Sequence, residues 1–115
     1  MKKPFDLEER TYEFARDVRR AIKFLPKSAT NIEDSKQLTK SSGSVGANYI
    51  EANEGFSPKD TKYRFKVSRK EAKESAYWIR LIISGNDAII EREFEPLFQE
   101  AVELKKIFTA IINKK

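Results

Sequence analysis

From Gln37 to Glu54 the chain reads QLTKSSGSVGANYIEANE, and Gly55 follows. This stretch restricts the fold more than any other. Its spacing is helical, yet it has few large apolar residues. Ser44, Gly46, Ala47 and Ala52 are small. Asn48 and Glu51 fall on the same side as Ser44, because residues three and four apart are neighbours on a helix. Small residues let another helix come close, and polar residues on that side need hydrogen-bond partners. Such a segment reads as the inner helix of a bundle. Ser44, Asn48 and Glu51, with Glu74 from a later helix, are the expected structural polar core. Lys40 or Arg69 is the expected charged partner.

The flanking segments supply the large apolar residues. Asp6 is a plausible N-cap with Glu9 three residues on. Leu7, Thr11, Phe14, Ala15, Val18, Ile22 and Leu25 then recur at helical spacing. This helix should end near Leu25, since the residue before Pro26 is pushed out of helical angles. Residues 26–31 read as a linker, with Thr30 or Asn31 capping the second helix and Glu33 and Asp34 in its first turn. Gly43 and Gly46 each cost about 1 kcal/mol in a helix interior relative to alanine. Close packing is the expected offset, and a break within Ser41–Gly43 is the alternative.

Ser57-Pro58-Lys59-Asp60 is the clearest boundary: a cap, a proline at the first helical position and an acid in the first turn. The third helix is predicted to reach Ser84, with Phe65, Ser68, Ala72, Ser75, Ile79 and Ile83 inward and Ala76 and Ile82 beside them. Its middle is small too, so the second and third helices should pair. Gly85-Asn86-Asp87 reads as a turn. Ala88, Ile89 and Ile90 would cover one end of the bundle. The fourth helix is predicted to begin around Glu95-Pro96, with Phe94, Leu97, Ala101, Leu104, Phe108 and Ile111 as its stripe and Lys114 and Lys115 suiting its end. Alternating strand patterns are missing. The expected fold is all-α, an antiparallel up-down-up-down four-helix bundle in one domain over residues 1–115.

Composition narrows the chemistry. There is no cysteine and no histidine, which argues against disulfides, a typical zinc site and histidine acid–base catalysis. Paired carboxylates on bundle helices usually hold metals together with Glu-x-x-His pairs, and those are missing. No metal, no cofactor and no enzymatic activity are expected. No stretch approaches the roughly 20 apolar residues of a membrane span, and the N-terminus lacks a signal-peptide apolar core. No membrane association is expected, and the cytoplasm is the expected location.

The charge is +5, from 23 Lys and Arg against 18 Asp and Glu. It is distributed unevenly. Residues 59–80 are strongly basic, the first helix carries Arg16, Arg19, Arg20 and Lys23, and residues 91–103 are acidic. Two readings stand side by side. In one, Arg16, Arg19, Arg20, Lys23, Lys62, Arg69 and Lys73 form basic faces that follow a phosphate backbone. In the other, they are solvated surface with local pairs such as Lys70–Glu74. Tyr77 and Trp78 are adjacent, so they cannot both face one core. At least one lies at a flank, where it suits a subunit interface or a stacking platform for bases.

GSVGANYIEA, residues 43–52, resembles the signature of the 23S rRNA intervening-sequence (S23) family of small four-helix proteins. The matching residues are Gln37-Leu38, then Ser44, Asn48 and Glu51 in a Ser-x-x-x-Asn-x-x-Glu pattern. Glu71, Glu74 and Tyr77-Trp78 in KEAKESAYWIRL are similar to the family's third helix, and Phe5, Leu7, Tyr12 and Phe14 to its first. Two positions depart. Glu51-Ala52 stands where many members have Glu-Gly, so the second helix is expected to run further here. Lys40 stands where arginine is common, which weakens a bidentate contact. The resemblance implies a non-enzymatic bundle that assembles as a homo-oligomer, a homopentamer in the family. It also implies a relation to retroelement accessory proteins that bind nucleic acid. Structured RNA or DNA is the expected partner, with a protein-scaffold role as the alternative.

Overall fold

Four amphipathic stripes become four helices: α1 Leu7–Ile22, α2 Ala29–Asn53, α3 Pro58–Ser84 and α4 Ala88–Asn113. The computed structural model describes residues 6–114. Phe5 and Lys115, singled out above, lie outside them. Among the described residues there is no strand, and no helix is long and apolar enough to cross a membrane. The helices form an antiparallel up-down-up-down bundle in which α2 packs on α3, α3 on α4, and α1 more lightly on α2 and α4. Helices α1 and α3 occupy opposite corners.

Several ends are where local chemistry puts them. The Asp6 side chain accepts from the Glu9 amide, and Ser57 accepts from the Asp60 amide with Pro58 at the first position. α2 is continuous through Ser41–Gly43 and continues past Ala52 to Asn53.

Three boundaries differ from the sequence reading. The helical run of α1 stops at Ile22, and Phe24 and Leu25 make a tighter turn, their amides bonding to Ala21 and Ile22. α2 starts earlier than expected because Ser28, not Thr30 or Asn31, is its cap. Its first turn therefore carries no acid, and Glu33 and Asp34 lie beyond it. Asn31 has other work. Its Nδ2 donates to Pro26 O and to Asn86 Oδ1, while Asn86 Nδ2 donates back to Asn31 Oδ1, each at 2.9 Å. This amide pair ties the α1–α2 turn to the α3–α4 turn. α4 begins at Ala88, well before Pro96. Asp87 accepts from the Ile89 and Ile90 amides, and Ile90 and Phe94 are buried one turn apart. Ile90 is thus core rather than an end cover, and Ile89 is exposed. Pro96 lies inside the helix on its exposed side, where it removes one backbone bond without placing its ring in the core.

The core runs from Phe14 and Val18 of α1 through Leu38 and Val45 of α2, Ile79 and Ile82 of α3, and Phe94, Leu104 and Phe108 of α4. Tyr49, Phe65 and Phe108 add a tilted aromatic trio with centroids 6.0–6.4 Å apart. Small residues do two different jobs in α2. Its glycines face α1: a β-carbon on Gly46 would sit 2.8 Å from Thr11 Oγ1, and one on Gly43 would sit 3.2 Å from Arg19 Nη2. Its Ser41 faces α3. Ser41 and Ser75 hydroxyls meet at 2.9 Å, and Ser68 donates to the Val45 carbonyl at 2.9 Å. Arg10 closes the α1–α4 edge with a two-pronged grip on Glu100 at 2.7 and 2.8 Å. That bond raises the guanidinium pKa above its ordinary value.

Candidate nucleic-acid interface

The α4-facing flank of α3 gathers positive charge. Residues 66, 69, 70 and 73 are three or four apart, so they share one side of the helix. Lys66, Arg69, Lys70 and Lys73 join Lys105 and Thr109 of α4 around an open hollow of about 360 Å³. Lys66, Lys70, Lys73 and Lys105 are exposed, and Arg69 is half-buried. No carboxylate lines the hollow among the described residues. Among the described residues none of the five cations has an ion-pair partner within 4 Å. Lys62 is exposed one turn earlier on the same flank. Like charges gathered around one hollow with no carboxylate in its lining create a positive field that an anion relieves.

Lys105 escaped the sequence reading, and Lys66 and Lys70 were not picked as contacts. The usable signal is that α3 and α4 are consecutive antiparallel helices, so Lys105, next to core residue Leu104, must lie near the seam between them.

The basic residues of α1 form a separate patch. Because α1 and α3 sit on opposite corners, their basic sides do not make one face. The α1 group is also partly neutralised. Arg16 donates to Asp17 at 3.0 Å and lies 6.0 Å from the Tyr12 ring, and Arg20 is 4.0 Å from Asp17. Arg19 reaches across to α2 and donates to the Thr39 carbonyl at 3.2 Å, lying over Gly43. Its bonds to this carbonyl and to that of Ala15 hold it along the α1–α2 seam while it stays exposed. Lys23 is exposed at the end of the helix.

The expected polar core is placed differently. Glu51 and Glu74 are exposed in the single chain, and Ser44 and Asn48 are half-buried. The buried polar layer is instead Ser41, Ser42, Ser68 and Ser75, whose short hydroxyls bond within α2 and across to α3 without desolvating a charge. Asn48 does have a cationic partner, but it is Arg64, which donates to its Oδ1 at 3.0 Å, while Asn48 Nδ2 donates to the Ser44 carbonyl at 2.9 Å. Lys40 is exposed, and Arg69 turns toward α4. Glu71 and Glu74 share a smaller hollow with Lys40, Ser41, Ser44 and Trp78 on the opposite flank of α3. Burial, then repulsion from Glu74, pushes the Glu71 pKa up. The Lys70–Glu74 pair does not form within 4 Å. Tyr77 is exposed and Trp78 half-buried against the core, their rings edge to face at 5.3 Å.

This bundle can be compared with known proteins. The profile of the 23S rRNA-intervening sequence protein family matches residues 3–110. The chain belongs to this family. Its fold is similar to the crystal structure of a protein of unknown function from the S23 ribosomal protein family of Bacteroides thetaiotaomicron VPI-5482. That structure is 27% identical with a TM-score of 0.79, and the match covers 93% of this chain and 98% of the other. A comparison with curated proteins finds no match. The 23S rRNA-intervening sequence fold thus accounts for nearly the whole chain, including both α3 flanks.

Proposed function

We propose that this intervening-sequence protein is a non-enzymatic bundle that binds structured RNA or DNA by neutralising backbone phosphates, with the α3–α4 cleft as its main contact. The supporting observation is the convergence of Lys66, Arg69, Lys70, Lys73 and Lys105 on one hollow lined by no carboxylate. Lysines and arginines arranged in this way release counterions from a nucleic acid and position it without reading bases. The α1 patch, with Arg16, Arg20 and Lys23, is a secondary contact on another side of the bundle.

Self-association belongs to the same proposal. A homo-oligomer, a homopentamer if it follows the family resemblance, turns weak contacts into avidity. Exposed Phe24, Ile32, Phe56 and Ile89 favour it, and of the expected interface pair Tyr77 and Trp78 it is the half-buried Trp78 that suits it. The same apolar exposure favours the second reading, a scaffold for another protein. A defined protein partner retained after nuclease treatment, by a chain that binds no nucleic acid, would establish that reading.

The test is equilibrium binding of nuclease-treated protein to labelled rRNA fragments and to duplex DNA across a salt series. Binding should fall steeply with salt. Lys66→Glu with Lys70→Glu and Lys73→Glu should abolish it while the helical circular dichroism is kept. Undiminished affinity in that folded variant overturns the assignment.

A further inference from the structure

Lys59, Tyr63, Lys66, Lys70, Lys73 and Tyr77 recur at alternating steps of four and three residues, which draws one straight line along α3. All six are exposed. Tyr63 and Tyr77 stand at the two ends of the basic cleft, 59% and 56% exposed. Fourteen residues separate them, or ~21 Å along the helix. Four lysines and two tyrosines in line combine the two requirements of a strand-binding surface, phosphate neutralisation and a flat π-face. Building on the phosphate reading above, we propose that this stripe is a track for a single-stranded nucleic-acid segment, on which Tyr63 and Tyr77 stack unpaired bases at either end of the α3–α4 cleft.

The environment of the rings supports the assignment. This chain packs an aromatic ring inward where the core needs one: Tyr49 joins Phe65 and Phe108 and is half-buried. Tyr63 and Tyr77 have no such role. The Arg64 guanidinium lies over the Tyr63 ring, 5.9 Å from its centre, placing a cation on one side of the platform. Tyr77 meets Trp78 edge to face, with 72° between the rings, a geometry that does not stack a neighbour flat on Tyr77. A duplex keeps its bases stacked inside, so a ring on a convex helix gains nothing from it. Unpaired bases offer a face to stack on. At a stacked rise of about 3.4 Å per nucleotide, the distance between the rings accommodates roughly six nucleotides, and fewer if the strand is extended.

The experiment compares labelled oligouridylate, which has no structure of its own, with duplex RNA of equal length. Tyr63→Ala with Tyr77→Ala should lose about tenfold or more in affinity for oligouridylate and none for the duplex. Tyr63→Phe with Tyr77→Phe should bind as the wild type does. The alanine pair should leave the slope of affinity against salt unchanged, because no phosphate contact is lost, whereas Lys66→Glu with Lys70→Glu should flatten it for both ligands. Both tyrosines are exposed, so circular dichroism and thermal unfolding should match the wild type. If the alanine pair binds oligouridylate normally, or loses both ligands equally, the stacking track is overturned. In either case the phosphate reading stands so long as the glutamate pair loses binding. If the wild-type protein binds neither ligand at low salt, both readings fall together.

Discussion

The flank of α3 that faces α2 holds Glu71, Glu74 and Trp78 around Ser41 and Ser44, whereas the flank that faces α4 holds Lys66, Arg69, Lys70 and Lys73 beside Lys105. The seams beneath them differ as well. Toward α2 the helices meet through serine hydroxyls and Ala72. Toward α4, Phe65 packs against Phe108 at 6.4 Å, and it also meets Tyr49 of α2 at 6.2 Å at the far end of the close seam. Small residues bring backbones together, so charged groups above that seam are drawn partly out of water, as Glu71 is. On the other flank the cations stand on an open rim with no carboxylate in its lining. One helix therefore has a flank that specifies alignment and a flank free to meet a ligand.

The largest effect is expected where the close seam is overfilled. Ser75 is fully buried against Ser41. Ser75→Leu should destabilise the protein by about 1–3 kcal/mol, read as a lower urea midpoint. Ala76→Leu, half-buried on the α4 side, should cost clearly less. Equal losses would mean that the two seams are equally tight and that the comparison fails.

Next come two charge reversals that change the net charge equally. Lys66→Glu on the α4 side should weaken binding to labelled rRNA fragments by roughly tenfold and reduce the salt slope. Lys40→Glu, in the hollow on the other flank of α3, should stay within about twofold, since exposed charges not in direct contact with a ligand are weakened by salt screening. Equal losses from the two would show that overall charge, and not the cleft, draws the ligand.

A smaller effect tests the hydrogen-bonded layer alone. Ser68→Ala removes the donor to the Val45 carbonyl while keeping the seam close. It should cost about 1 kcal/mol in chemical unfolding, with nucleic-acid affinity unchanged.

Most of this contrast can be read from the sequence only after the helices have neighbours. The fold class and the boundaries marked by distinct chemistry were legible: Asp6, Ser57-Pro58 and the apolar stripes act locally. The pairing of α2 with α3 was legible too, because both have small middles. The start of α2 was not. Ser28, Thr30 and Asn31 can all cap, and what removes Asn31 from that role is Asn86, far along the chain. Pro96 suggested a helix start because proline suits the first turn, but Asp87 offers a better cap and the apolar Ile90–Phe94 turn extends the helix. The expected polar core failed at Glu51 and Glu74 because each helix step turns the side chain by about 100°, which puts buried Ser75 and exposed Glu74 on different sides of α3. The two basic helices were assigned one function from their charge, yet bundle order sets them on opposite corners.

The smallest predicted effect sharpens the acidic flank through pH. Burial and the neighbouring Glu74 carboxylate raise the Glu71 pKa, with Lys70 and Lys40 opposing them. A carboxyl whose folded pKa lies above its unfolded value binds more protons folded than unfolded between the two. Stability therefore falls as pH rises through that window, and the penalty is absent below the unfolded value. Glu71→Gln removes the charge and keeps the shape. The variant should unfold at a slightly higher temperature than the wild type at neutral pH, and the difference should vanish on acidification below the ordinary glutamate range. Glu74→Gln, which removes only the secondary cause, should recover part of that gain. A Glu71→Gln variant less stable than the wild type at neutral pH would show that the carboxylate is held by a favourable partner, Lys40 being the candidate across the α2 seam. The α2-facing flank would then be an ion-paired surface and not one strained by close packing.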